Sequence, residues 1–232
     1  MFHLKRVRPI VACSLTISTT VALVGCSGSK DEAEQTSTTT AAAGQFDLSK
    51  LSELRDDFPP DFIPGKSEVV KLQHILVAGV GSVVSYGKPY TVDPPQCTDL
   101  LKPVAGVAGA DTIGMRADGP DGRSISVGAD MPVNVAADIP TTGCERMTYV
   151  VPDERRPFSG TVERIDAPTI DGATTLAFKC TVDGVPDTEY SYAAILGGRV
   201  LVKVDARLAQ DFQAQPLLPA LVVKAVAAIR SK

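Results

Sequence analysis

Tryptophan is missing from the 232 residues, and aromatic side chains make up only 5% of them. This scarcity disfavours aromatic hot spots and stacking platforms for carbohydrates. Cations are not in excess either, because the formal net charge is −4. Affinity for the phosphate backbone of nucleic acids comes mostly from clustered lysines and arginines. The composition therefore argues against a nucleic-acid partner.

Histidine is almost as scarce, since the chain contains only His3 and His74. A Ser-His-Asp or Cys-His catalytic system would have to use His74, and the sequence has no Gly-x-Ser-x-Gly nucleophile elbow. The absence of a Cys-x-x-Cys pair likewise disfavours a zinc site. We therefore predict no catalytic residue, no cofactor and no metal ion.

The chain also lacks the roughly 18 to 20 strongly apolar residues that a transmembrane helix needs. It begins with a basic segment, residues 5–8, and an apolar stretch, residues 9–24, which are the two regions of a secretory signal. The stretch ends in Leu-Val-Gly-Cys26, which resembles a bacterial lipobox, whose cysteine takes a diacylglyceryl group and palmitate. We predict a lipoprotein signal peptide over residues 1–25, and a lipid anchor on Cys26 at the extracytoplasmic face of the cell membrane. A plain secreted protein is the alternative.

Residues 26–45 begin with that cysteine and contain no large apolar side chain. Such a segment cannot offset the entropy of ordering, so we predict a disordered tether. A run of threonines within it is a possible site of O-glycosylation. From Phe46 onward the composition changes, and residues 46–232 are predicted to form a single extracytoplasmic domain.

Apolar residues alternate with polar ones over residues 113–117 and 125–129, on either side of an Asp-Gly-Pro-Asp-Gly turn. This pattern predicts a β-hairpin. The same period predicts further strands at residues 147–151, 160–165, 174–182, 188–196 and 199–206. The last two are predicted to be joined by a two-residue loop, Gly197-Gly198.

Helices are expected at both ends of this domain. Leu48, Leu51 and Leu54 recur at helical spacing before a Pro-Pro pair, and residues 216–230 carry a continuous apolar stripe. We therefore predict an α+β fold, with a twisted, mostly antiparallel sheet of six or seven strands that buries one face under the two helices. Residues 69–84 are apolar but contain two glycines, and periodicity does not assign them to helix or strand.

Three cysteines remain once the leader is removed and Cys26 is lipidated, which allows one disulfide and three pairings. Cys180 shares the core face of its predicted strand with Phe178, so we expect a buried, inert thiol. Cys97 and Cys144 follow Pro- and Gly-rich segments, which lie on loops that can meet. We predict a Cys97–Cys144 disulfide.

Several local features combine into a resemblance. They are a helix that ends in Phe-Pro-Pro, Pro-x-Cys97, Gly-Cys144, the segment Ile-Asp-Ala-Pro-Thr-Ile-Asp-Gly at 165–172, and a closing Ala-Val-Ala-Ala-Ile-Arg helix. Together they resemble a family of uncharacterised mycobacterial lipoproteins, which is distantly similar to the extracellular sensor domain of PknH-type serine/threonine kinases.

The resemblance implies a twisted antiparallel sheet with helices packed on it, a disulfide at the positions of Cys97 and Cys144, and a cleft for an unidentified ligand. The kinase domains carry a second disulfide near their C-terminal strands. In this sequence Asp-Ala-Arg, residues 205–207, stands in the region of the partner cysteine, which puts that bridge in doubt for Cys180.

Two segments are candidate contact sites. Residues 69–84, with Val80, Val83 and Val84, are suited to line a pocket for an acyl chain or to form a mobile flap, and core packing is the simpler interpretation. A second segment, with Arg155 and Arg156, is suited to meet an anionic headgroup or a partner, and a solvated loop is the simpler interpretation there.

These observations favour a non-enzymatic, membrane-tethered binding or sensor-like module, whose partner is an unknown envelope protein or small ligand. One alternative is a carrier of lipid or glycolipid with an apolar cavity, and a second is a hydrolase that uses carboxylates alone. A deep apolar cavity favours the carrier, a shallow polar cleft the sensor, and acids clustered at its base the hydrolase.

Overall fold

The structure is a computed structural model that describes residues 46–153 and 155–230. The predicted leader, lipidated Cys26 and tether lie outside the described residues. Within them, ten strands form one sheet: β1 (Ile63–Pro64), β2 (Val70–Lys71), β3 (Thr91–Asp93), β4 (Val104–Asp118), β5 (Ser124–Val135), β6 (Arg146–Val151), β7 (Phe158–Arg164), β8 (Ala173–Val182), β9 (Thr188–Leu196) and β10 (Val200–Leu208). One α-helix, α1 (Leu217–Arg230), and several short 3-10 helices complete the described chain.

All neighbouring strands are antiparallel, in the order β1-β4-β5-β10-β9-β8-β7-β6-β3, and β2 pairs with the edge of β4. The predicted class, a mostly antiparallel sheet with helices, is therefore confirmed, but the prediction of six or seven strands is wrong. The strands that were missed, β1, β2 and β3, have two or three residues each, which is too short to show a period of two.

Helices cover one face of the sheet, as predicted. The N-terminal helix, Leu48–Asp57, is a 3-10 helix, and its buried Leu48, Leu51 and Leu54 lie three residues apart, which is the repeat of that helix. Residues of α1 at i, i+3, i+4 and i+7 join the same core cluster, together with inward-facing residues of β4, β5, β9 and β10.

The opposite face is covered as well, which the sequence did not predict. The segment between β2 and β3 crosses this face, and we call its residues 79–88 the strap. Val80 packs in a small core cluster with Val104 of β4, Val133 of β5 and Leu201 of β10. The strap is held to the following segment by a hydrogen bond from the Val83 amide to the Leu101 carbonyl (3.0 Å).

A third core cluster lies under β6, β7 and β8. It contains the disulfide that joins Cys97 to Cys144, the pairing favoured by the sequence, and both cysteines are fully buried. Cys180 is a free, buried thiol in the same cluster. The disulfide therefore fastens the segment that follows the strap to the loop that precedes β6.

Candidate ligand-binding groove

A groove lies between the strap and the uncovered part of the sheet. It consists of two adjoining cavities of about 420 and 550 Å³. The cavities share five lining residues: Gly79, Arg116, Ser126, Lys203 and Asp205. We call the sheet residues that line either cavity the floor of the groove.

The polar floor follows from the alternation of side chains in the strands. In β5, Ile125, Val127 and Ala129 belong to the core under the helices, so Ser124 and Ser126 face the groove. The strand register aligns the floor residues in rows across the sheet. One row runs from Arg116 of β4 through Ser126 of β5 and Asp205 of β10 to Ser191 of β9.

Two polar contacts tie the strap to the floor. The Lys203 ammonium donates to the Ser82 carbonyl at 2.7 Å and also pairs with the Asp205 carboxylate at 3.0 Å. The Tyr86 hydroxyl donates to Glu189 Oε1 at 2.7 Å. Tyr86 has a φ of 52°, a left-handed conformation that is unfavourable for a side chain of this size. Desolvation around the hydroxyl of Tyr86 and the nearby Glu189 carboxylate raise the pKa of this otherwise exposed residue, so its hydroxyl stays protonated as a donor.

Ser191 carries the clearest sign of an incomplete site. Its side chain is only 3% exposed, it lines the smaller cavity, and its Oγ has no hydrogen-bond partner among the described residues. A buried polar atom without a partner costs free energy, and native proteins contain few of them. Ser191 Oγ is therefore an unsatisfied hydroxyl beside the smaller cavity.

Asp130 is a partly buried acidic residue at the other end of the floor. It lines the larger cavity, and burial raises the pKa of its carboxyl, against a side-chain hydrogen bond with Thr112 and the charge of Lys203, both of which lower it. Between Asp130 and Ser191 the floor contains Gly114, Gly128 and Ser126, small residues that leave space above the backbone. A Cβ atom built on Gly114 would meet no atom within 4 Å.

Of the three valines predicted to line a pocket, two line the groove and one lies in the core. Val80 lines the larger cavity and Val83 the smaller one. Val84 instead packs in the core cluster around the disulfide, so it is not a groove residue. His74 is exposed in a short 3-10 helix, His74–Gly79, which precedes the strap.

The predicted arginine loop lies elsewhere, beside a separate cavity of about 510 Å³. The side chains of Arg155 and Arg156 are exposed, and their backbone amides donate to Asp153 Oδ1 at 2.8 and 3.0 Å. Asp153 also accepts from Lys88, and these contacts lower its pKa to about 2. The structure does not bring these arginines together with the valines of the strap.

Within residues 46–153 and 155–230, no three His, Cys, Asp or Glu side chains are grouped so that they could hold a metal ion. No helix of this part of the chain is long and apolar enough to cross a bilayer.

The sequence and the fold were compared with those of known proteins. Residues 47–230 match DUF5642, which is described as a domain of unknown function. The chain belongs to this family. The match confirms the resemblance to a family of uncharacterised proteins. No curated protein sequence matches the DUF5642 chain.

Two solved structures align with the DUF5642 domain, and the first of them shares its fold. An uncharacterised protein from Mycobacterium smegmatis, the Rv0999 ortholog, aligns with a TM-score of 0.55 at 19% identity, over 81% of this chain and 98% of that one. The extracellular domain of PknH from Mycobacterium tuberculosis aligns with a TM-score of 0.40 at 15% identity, over 78% of this chain and 91% of that one.

Sequence reasoning missed most of the DUF5642 groove. Lys203, Asp205, Ser126 and Ser191 alternate with core residues, and a polar face of that kind is ordinarily exposed to solvent. A usable signal was present, because the polar positions of β4 and β5 carry glycine and serine where an exposed strand favours β-branched residues.

Proposed function

We propose that this protein is a non-enzymatic, membrane-tethered binding module of the bacterial cell envelope, and that its ligand occupies the groove under the strap. The observation that carries the proposal is the unpartnered, buried Ser191 Oγ in a groove of glycine, serine and paired charges. A floor of small residues under a tied strap forms a preorganised concave site, which is the usual geometry for binding a small molecule.

The chemistry of the floor favours recognition over the transport of an acyl chain. An acyl chain needs apolar walls along its whole length. Six large apolar residues line the larger cavity, but the smaller cavity is lined by five charged residues and several serines. Asp205 and Glu189 are each held by a donor from the fold, Lys203 and Tyr86. These contacts suit a site that positions a ligand by hydrogen bonds.

Ligand retention tests the groove. In Gly114→Phe, the added ring is expected to enter the larger cavity without displacing the backbone, because the space around its Cβ is open. We expect native mass spectrometry to find a bound small molecule on wild-type protein purified from a mycobacterial host, and little or none on Gly114→Phe. Thr148→Phe, at an exposed position of β6 outside the groove, is the matched control and should retain the ligand.

Equal retention by wild type and Gly114→Phe would place the ligand elsewhere. A bound acyl lipid would support the carrier alternative, and wild-type protein without any bound mass would contradict the proposal.

The membrane attachment is tested separately. The proposal places a lipid on Cys26, so Cys26→Ala should move the protein from the membrane and detergent phase to the soluble fraction. Several buried acyl chains give an effectively permanent anchor, so we expect nearly complete release. Cys13→Ala, within the predicted leader, is the control and should leave the partition unchanged. Continued detergent partitioning of Cys26→Ala would refute lipidation.

A further inference from the structure

We propose that the ligand of the groove is a neutral, hydroxyl-rich compound of the saccharide class. This inference rests on the proposed function of the groove. It depends on how the charges of the floor are arranged, on the unpartnered serine and on the exposed tyrosine of the strap.

The three cations that line the smaller cavity each pair with a neighbouring acid. Lys203 pairs with Asp205 at 3.0 Å, Arg207 with Asp187 at 2.8 Å and Arg116 with Asp118 at 2.7 Å. The groove also contains the exposed Lys66 and two carboxylates, Glu189 and Asp130, that accept hydrogen bonds from the neutral hydroxyls of Tyr86 and Thr112. A carboxylate or phosphate ligand would have to displace an acid from its partner.

Adjacent charges of this kind suit neighbouring hydroxyl groups. A hydroxyl donates one hydrogen bond and accepts two, so it can give to a carboxylate while it accepts from an ammonium or guanidinium. The Lys203–Asp205 pair presents both kinds of group about 3 Å apart, at the boundary of the two cavities. Vicinal hydroxyls of a sugar ring can address both members of the pair at once. Hydrogen bonds to charged groups are also stronger than bonds between neutral groups.

Ser191 Oγ adds a group that no residue of the fold satisfies. In the register of the sheet, Ser191 lies opposite Asp205 and belongs to the row that contains Ser126. A ligand bound at the Lys203–Asp205 pair therefore lies next to two serine hydroxyls. This set of donors and acceptors offers hydrogen bonds without adding net charge.

Tyr86 supplies an aromatic surface, which was not expected from a chain with only 5% aromatic residues. It lines the smaller cavity and is 70% exposed, while its hydroxyl is fixed by Glu189. An anchored, exposed ring is a rigid apolar surface beside a polar floor. The C–H face of a sugar ring fits such a surface, and the hydroxyls at its edge reach the floor.

The experiment starts from the bound compound itself. The ligand released by heat from the wild-type protein is hydrolysed in acid and analysed for monosaccharides, and the ligand-free protein is then tested on an array of neutral and acidic bacterial glycans. We expect neutral sugars in the released compound, and binding to neutral glycans that survives 0.5 M salt. A released compound without sugar, together with no binding to neutral glycans, would overturn the saccharide class and leave the binding function standing. If no compound is released and no glycan binds, both proposals fail.

Variants show whether Ser191 contacts the ligand. Ser191→Ala should lower affinity for the bound glycan roughly tenfold, the loss of one hydrogen bond, without lowering the melting temperature, because its Oγ has no partner in the fold. Ser85→Ala is the matched control. Its buried Oγ lies 3.0 Å from Ser82 Oγ, so this variant should be less stable yet keep its affinity. Unchanged affinity in Ser191→Ala, or hydrolysis of the glycan during the measurement, would contradict the assignment.

Discussion

Replacement of both Cys97 and Cys144 by alanine is expected to lower the free energy of unfolding by about 4 kcal/mol. The disulfide closes a segment with a sequence separation of 47, and a loop of this length gains considerable entropy in the unfolded chain when it is released. Both cysteines are fully buried in the cluster under β6, β7 and β8, so the alanines also leave unfilled space. For a domain of this size the melting temperature should fall by roughly 10 °C or more.

Urea unfolding monitored by circular dichroism measures this effect. Cys180→Ala, which keeps the bridge, is the control and should lose roughly 1 to 2 kcal/mol, the cost of a small cavity. Reductant should lower the melting temperature of wild type and Cys180→Ala but not of the double variant. A double variant as stable as Cys180→Ala would show that the bridge contributes little to stability.

Gly81→Ala is the single substitution expected to disturb the groove most. Gly81 has a φ of +73°, and a Cβ atom there would lie 2.4 Å from the Val104 carbonyl oxygen of β4. The backbone strain and the clash each cost about 1 to 3 kcal/mol, so the strap must shift away from the sheet or the domain must lose roughly 3 kcal/mol of stability. In either case we expect the bound small molecule to be lost.

Gly79→Ala provides the matched comparison, two residues away on the same strap. Its Cβ would meet the Tyr86 carbonyl oxygen at 3.8 Å, an ordinary contact, and its φ lies outside the left-handed region. This variant should keep its melting temperature. If Gly81→Ala keeps its ligand and melts at the same temperature as Gly79→Ala, ligand binding and stability do not depend on the close approach of the strap to β4.

The long strands could be predicted because each carries one apolar face. In the hairpin of β4 and β5, Ile113 pairs with Ala129, Met115 with Val127 and Ala117 with Ile125, so the two alternating sets lie opposite each other. The final hairpin was predicted in place but with the wrong loop. Leu196 pairs with Val200, so the loop has three residues, Gly197, Gly198 and Arg199.

The strap and its groove could not be predicted in the same way. Within residues 69–84, Val80 and Val84 pack in two different core clusters whereas Ile75 and Leu76 are exposed. No single helical or strand period describes such a segment. The contacts that define the groove join residues far apart in sequence, as Tyr86 and Glu189 do. A single sequence contains no pattern for such a pairing. In the sequence, the polar residues of the floor are therefore indistinguishable from those of a strand face that is exposed to solvent.

The alkylation rate of the buried Cys180 thiol can be used to follow opening of the groove. Cys180 is 1% exposed and lines the smaller cavity, and burial raises its pKa, so an alkylating reagent should react with it slowly in the folded domain. Alkylation of Cys180 requires the structure around the smaller cavity to open, so its rate measures how often that happens. Among the described cysteines Cys97 and Cys144 are bridged, so the reaction reports on Cys180 without an engineered label, and a ligand in the groove is expected to slow it.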